Sequence, residues 1–385
     1  MRARPIPVDV PVGLYVHLPW CLRKCPYCDF NSHEASGEVP FARYVEALLR
    51  DLEMELAAID GRRIGTIFIG GGTPSLFPAD AIGQLLDGVR RVVDIANNVE
   101  ITLEANPGAS DAARFEGYLA AGVNRLSIGV QSFRDRQLKL LGRVHDSADA
   151  VAALEAARTA GFKNINIDLM HGLPGDRSYD SLVDLRRAIA FEPAHISWYQ
   201  LTIEPGTAFA HRPPKLPEHD AIADDFERGW ELLHDAGYDQ YEISAYARPG
   251  AVARHNLNYW EFGDYVGIGA GAHGKLTTVT GIFRTEKRRS PLSYMSIAGS
   301  VACTKRDGPL TNNDLIAEFA LNALRLRHGY SEDLFKARTG LALAVVGAAL
   351  RHAIERGWIV RTAGVICPTP LGYRFLNDLQ LLFAG

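Results

Sequence analysis

What this 385-residue chain lacks narrows the field first. No apolar run approaches the roughly 18 residues that a membrane-spanning helix needs, so no transmembrane segment is expected. The start, Met1-Arg-Ala-Arg-Pro-Ile-Pro, has basic residues but no apolar stretch behind them. No secretion signal is therefore expected, and the cytoplasm is the predicted location. Charge of one sign is not in excess: 41 Lys and Arg against 45 Asp and Glu leave a formal −4. That balance gives no reason to expect nucleic acid as a partner. Cysteine is scarce and odd in number: of five, three fall between Cys21 and Cys28, while Cys303 and Cys367 stand alone. A disulfide framework would spread its cysteines through a much smaller chain. Three clustered thiols in a reducing compartment point instead to a metal or a cluster.

The composition that remains, 47% hydrophobic and 22% charged, is that of a soluble globular protein, long enough for one large domain and a small one. The first two-thirds alternates short apolar runs with amphipathic stretches. Strands are predicted at 14–18, 66–69, 99–104, 125–130, 164–170 and 195–201. Helices are predicted at 41–59, 81–93, 111–121, 147–160 and 178–190. In the first helix Tyr44, Leu48, Leu52 and Leu56 form one apolar stripe. Six βα units whose strands read as continuous apolar runs favour a parallel sheet, curled into an incomplete (β/α)6 barrel over residues 1–240. A flat doubly wound sheet is the alternative. In a parallel barrel the chemistry sits at the C-terminal strand ends. Residues 241–308 read as an extension: loop and short strand to Lys275, then a connector at 284–300. From 309 to 385, three helices and a hairpin turned at Ala363-Gly364 predict a small winged-helix-like domain. Residues 310–385 hold eight Lys and Arg against six Asp and Glu. That is thin for phosphate contacts, and it favours a lid or docking role over DNA binding.

Cys21-Leu-Arg-Lys-Cys25-Pro-Tyr-Cys28 directly follows the first predicted strand. Three thiolates can ligate three irons of a cubane and leave the fourth open. A structural zinc site completed by His17 or His33 is the competing reading, although such sites usually draw on two separated knuckles. Gly70-Gly71-Gly72-Thr73-Pro74 follows the second strand, where glycines would let backbone approach a ligand closely.

With these motifs the sequence resembles the radical SAM superfamily. The resemblance implies a [4Fe–4S] cluster on Cys21, Cys25 and Cys28 and S-adenosylmethionine (SAM) beside it. It places Gly71, Gly72, Thr73 and Glu104 at the methionine amino end, Arg143 at the carboxylate, and Gln131 and Asp168 on ribose hydroxyls. Tyr15, Tyr27 and Thr202 match further contact positions. Taken singly, each could equally be a satisfied polar residue at a strand end.

The stretches 14–21, 127–133 and 168–175, with the carboxy-terminal domain, are similar to the coproporphyrinogen-III-oxidase-like group. Two features resemble its heme-chaperone branch rather than the oxygen-independent oxidases. Phe30 stands where those oxidases carry a fourth Cys, and only thirteen residues precede the first predicted strand. His255-Asn-Leu-Asn-Tyr259-Trp260 matches a motif of that branch, with His255 as a heme-iron ligand and the two aromatics against the porphyrin. The competing reading is a satisfied His with local core aromatics, and His273 is a rival ligand or a contact to bound SAM. Cys367-Pro368 resembles a heme-responsive pair but also fits a strand-end core thiol. The implied partners are heme as cargo, acceptor hemoproteins and an electron donor for the cluster. Capacity to cleave SAM is expected and oxidase activity is not, while monomer and homodimer both stay open.

Overall fold

The computed structural model describes residues 12–109 and 111–384, so the amino-terminal segment bearing on secretion lies outside the described residues. Six parallel strands form the centre of one sheet in chain order: β1 (Val12–Leu18), β2 (Ile64–Gly71), β3 (Ile95–Ala105), β4 (Arg125–Gln131), β5 (Asn164–His171) and β6 (His195–Gln200). Between them run α1 (Phe41–Ile59), α2 (Ala79–Val92), α3 (Ala112–Ala121), α4 (Ser147–Thr159) and α5 (Asp180–Ala190). Right-handed crossovers between strands that never reverse order put every helix on the same face. A doubly wound sheet needs such a reversal. Its absence curls this sheet into a partial barrel with a ring of helices, α1 on α2, α2 on α3 and α3 on α4.

The sheet does not stop at residue 240. After α6 (His219–Asp235), β7 (Asp239–Glu242) and β8 (Ala245–Ala247) pair antiparallel beyond β6. The chain then crosses through α7 (Arg254–Trp260) to β9 (Tyr265–Ile268), which lies parallel to β1 at the other edge. β10 (His273–Thr278), β11 (Gly281–Lys287) and β12 (Thr304–Arg306) extend that edge antiparallel, with α8 (Pro291–Ile297) packed behind on α1. Two expectations are corrected here. The segment 238–275 contains a helix, α7, and the supposed connector at 284–300 is most of a strand and a helix. The strand was masked because its buried alternation, Ile282, Thr285, Lys287, is largely polar.

The α1 stripe also needs correcting. Tyr44, Leu48 and Leu52 are fully buried, but Leu56 is 39% exposed. A four-residue step overshoots the helical turn by about 40°, so a third step leaves the stripe. Buried Asp51 and Glu55 occupy that side instead, both bonded to Lys287 Nζ of β11 at 2.6 and 2.7 Å.

The carboxy-terminal unit is built from α9 (Asn312–Ala323), α10 (Glu332–Thr339), α11 (Gly347–Glu355) and an antiparallel hairpin, Ile359–Thr362 with Val365–Pro368. Ala363 (φ 51°) and Gly364 (φ 76°) make its turn, the left-handed pair that a two-residue hairpin loop demands. Phe319, Tyr330, Phe335, Trp358 and Ile366 form its core, which continues into Phe262 and Ile282 and so seats the unit on the sheet extension. Among the described residues no helix is long and apolar enough to cross a membrane.

Candidate functional site

A cavity of about 400 Å³ opens at the C-terminal ends of the barrel strands. The loop after β1 brings Cys21, Cys25 and Cys28 to it, and the turn after β2 brings Gly71, Gly72 and Thr73. Glu104 comes from the end of β3, Gln131 from the end of β4, Arg143 from the loop beyond, and Asp168 from β5. Tyr27 and Thr202 complete the set. Tyr15, expected among them, lines a neighbouring cavity instead.

The glycines serve the cysteine loop as much as the cavity. Gly72 N–H donates to Leu18 O and Thr73 N–H to Trp20 O, and a Cβ on Gly72 would lie 2.5 Å from Trp20 O. The β2 turn therefore clamps the start of the loop. Burial, with weaker repulsion from Cys28 and Cys25, pushes the Cys21 thiol up to about 11. Three thiols so close disfavour one another as anions, and a cationic iron core is what would reverse that.

Two groups facing this cavity are incompletely matched. Burial and then the charge of Asp168 push the Glu104 carboxyl up to about 8, against one backbone donor, Gly71 N–H at 3.1 Å. Arg143 donates to Asn106 Oδ1 (2.6 Å) and Gly129 O (2.9 Å) and approaches Cys25 Sγ at 3.9 Å, while its buried Nε–H has no acceptor. No cation pairs with Glu104 and no carboxylate with Arg143 among the described residues. An unmatched acid and an unmatched base in one cavity suit a zwitterion: an ammonium at the first, a carboxylate at the second. The methionyl end of SAM has that form, so the residues present fit the group the resemblance implies.

Asp168 accepts from Ser127 Oγ (2.9 Å) and Asn166 Nδ2 (2.8 Å), and burial raises its pKa. From Asp168 a hydrogen-bonded chain runs toward the N-terminal end of the barrel. His195 Nδ1–H donates to Asn166 Oδ1 (2.6 Å), Tyr241 OH donates to His195 Nε2 (2.9 Å), and Asn256 Nδ2 donates to Tyr241 OH (3.0 Å). Ser127, Asn106 and Tyr199, whose hydroxyl donates to Gln131 Oε1 at 2.6 Å, also line the cavity and escaped the sequence reading. Tyr199 stands at a strand end and was findable by that rule; Ser127 lies mid-strand and gives no such signal.

On the other side of the cysteine loop is a second cavity of about 580 Å³, bordered by β9, β10, β11 and α7. Tyr259 and Trp260 line it with Tyr15 and His273, and Asp29 and Phe30 line both cavities. His255 does not reach it. Its ring packs on Phe68, with centroids 4.3 Å apart, and its Nδ1–H donates to Glu100 Oε1 at 2.9 Å. Burial lowers its pKa, so the imidazole is neutral. The structure thus places the aromatic half of the motif on a cavity and the His-Asn half in the barrel. Cys303 is buried, and Cys367 in the hairpin donates to Arg327 O.

The model of the radical SAM superfamily matches residues 15–189, and that of the HemN C-terminal domain matches residues 310–375. The heme chaperone HemW of Escherichia coli is 51% identical over 374 residues, covering 97% of this chain and 98% of that protein. HemW of Haemophilus influenzae is 48% identical over 378 residues with the same coverage. The solved structure of coproporphyrinogen III oxidase (HemN) from Escherichia coli matches 98% of this chain and 91% of that one. Its TM-score is 0.81 at 23% identity, a likeness of fold.

Proposed function

The chain belongs to the radical SAM superfamily, in its HemN-like group and most like HemW, and on that footing we propose that it is a heme chaperone: it binds heme and passes it to acceptor hemoproteins. In this reading Cys21, Cys25 and Cys28 would hold a [4Fe–4S] cluster, which together with SAM and an external electron donor would supply one-electron chemistry at the sulfonium. The chain's own residues bind and orient. Glu104 takes the ammonium beside Gly71, Gly72 and Thr73, and Arg143 takes the carboxylate. Gln131 and Asp168 take the ribose, and Tyr27 and Thr202 close the walls. Heme is the cargo rather than a resident cofactor.

The observation that carries this reading is residue 30. Where the oxygen-independent oxidases that the sequence resembles carry a fourth Cys, this chain has Phe30, 56% exposed and shared by the two cavities. A phenyl ring can pack on a cargo but offers no thiol to a reaction. The test is to reconstitute the cluster anaerobically and add hemin and coproporphyrinogen III separately, with SAM and reductant. Hemin binding without release of carbon dioxide is expected. Decarboxylation by the wild-type protein would overturn the chaperone reading in favour of the oxidase.

A further inference from the structure

Of the histidines around the second cavity, two are already committed. His17 donates through Nε2–H to Asn31 O (2.9 Å) and accepts at Nδ1 from Tyr15 OH (2.8 Å), leaving no lone pair for a metal. His255 sits behind Phe68, its Nδ1–H given to Glu100. His273, the first residue of β10, is exposed and lines the cavity, which leaves its imidazole available to a ligand.

The cations divide in the same way. Lys275 Nζ is buried against Asp264 Oδ1 at 2.9 Å, and Arg284 is paired with Glu318 of α9 at 2.5 Å. Among the described residues bordering the cavity, Arg289 is the cation that no carboxylate neutralises, and it is exposed at the rim. Between imidazole and guanidinium the wall is aromatic. Tyr259 and Tyr265 meet edge to face at 4.7 Å, and the buried indole N–H of Trp260 has no acceptor.

A concave aromatic wall with one available imidazole and one unpaired cation suits a flat, apolar, metal-bearing ring with carboxylate tails. The volume, about 580 Å³, lies within the roughly 300–1,000 Å³ range of cofactor pockets. We propose that this second cavity is the heme site, with His273 as the axial ligand of the iron and Arg289 at a propionate. The proposal rests on the heme-chaperone reading and adds to it the place and the ligand. It puts the cargo against Phe30, one residue layer from the cysteine cavity, and it makes His255 a structural member of the barrel.

The test uses the full chain with its cluster reconstituted, titrated with hemin and followed by the Soret band and its shift on reduction. His273→Ala should shift the band and weaken binding at least tenfold, and added imidazole should restore the wild-type spectrum. Arg289→Gln should weaken binding several-fold with the band unmoved, and His255→Ala should leave the band where it is. Cluster absorbance serves as the folding control in each variant. A band unmoved by His273→Ala but shifted by His255→Ala would overturn the assignment while leaving the chaperone reading intact. Failure of the wild-type protein to bind hemin would instead sink that reading itself.

Discussion

Glu100 holds His255 at two points, accepting from its backbone N–H at 3.1 Å and from its Nδ1–H at 2.9 Å, and it takes Arg254 N–H at 3.0 Å as well. The carboxylate thus caps the first turn of α7 and fixes the ring that opens it.

The pair sets an acid limit on stability. Burial pushes the Glu100 carboxyl up, but the His255 bond, the nearby charge of Arg125 and the Arg254 N–H outweigh it and hold the pKa at about 2, below its ordinary 4.5. A folded-state pKa below the unfolded value stabilises fully above pH 4.5, and the contribution is lost as pH falls toward 2. Glu100→Gln should cost about 2 kcal/mol at pH 7, as for a hydrogen bond to a charged group, and flatten the decline between pH 4.5 and 2. Thermal melts across pH 2–7 check this; parallel profiles for the two proteins would show that Glu100 carries none of it.

Glu104 has the opposite sign. Its folded pKa, about 8, lies above the ordinary 4.5, so the ligand-free protein should lose stability as pH rises from 4.5 toward 8. At pH 7 the empty site holds a neutral carboxyl, and a bound ammonium requires the anion. SAM binding should therefore expel a proton and tighten as pH rises toward 8. Calorimetric titrations in two buffers of different ionisation enthalpy count that proton. Glu104→Gln should abolish the release and weaken binding about tenfold to a hundredfold. An unchanged affinity and proton count would place the ammonium elsewhere.

Prepared without oxygen, the protein should carry about four iron and four sulfide per chain. Replacing Cys21, Cys25 and Cys28 together by Ala should remove the brown colour and leave the far-ultraviolet dichroism unchanged, because the hydrogen bonds these thiols make, Cys21 to His33 O at 3.7 Å and Cys28 with Ser32 Oγ at 3.9 Å, are long and stay within the loop, away from the barrel strands. Full zinc occupancy, with no cluster recoverable on reconstitution, would defeat the assignment.

Phe30→Cys tests how much one side chain decides. It should not create a coproporphyrinogen oxidase, because it alters one wall of two cavities and supplies no substrate pocket. It should weaken hemin binding by removing an exposed aromatic ring from the shared wall. Anaerobic assays for carbon dioxide and protoporphyrinogen give the first answer and a hemin titration the second; turnover by the variant would make residue 30 the sole determinant.

Legibility followed the physics of each segment. β1 to β6 were readable because strands buried on both faces are plain apolar runs, and the polar residues Glu104 and Gln131 near their ends and Asp168 within β5 stand out against that background. The outer strands were not readable: β11 carries Lys287 inward to meet Asp51 and Glu55, contacts made across more than 230 residues of sequence. No local pattern announces such a partner. The same holds for His255, whose committed state depends on Glu100 in β3.

One amide side chain joins the two halves of this molecule. Asn31, three residues past Cys28, donates through Nδ2 to Ala270 O and to Arg289 O, both at 2.8 Å, and its backbone carbonyl accepts from His17 Nε2–H. A Cβ on Gly271 would collide with that amide at 2.4 Å, so the turn before His273 is shaped around it. A displacement of the cysteine loop therefore cannot stay local: through this one amide it would be felt at the turn that opens β10, and a displacement of that turn would be felt in the loop.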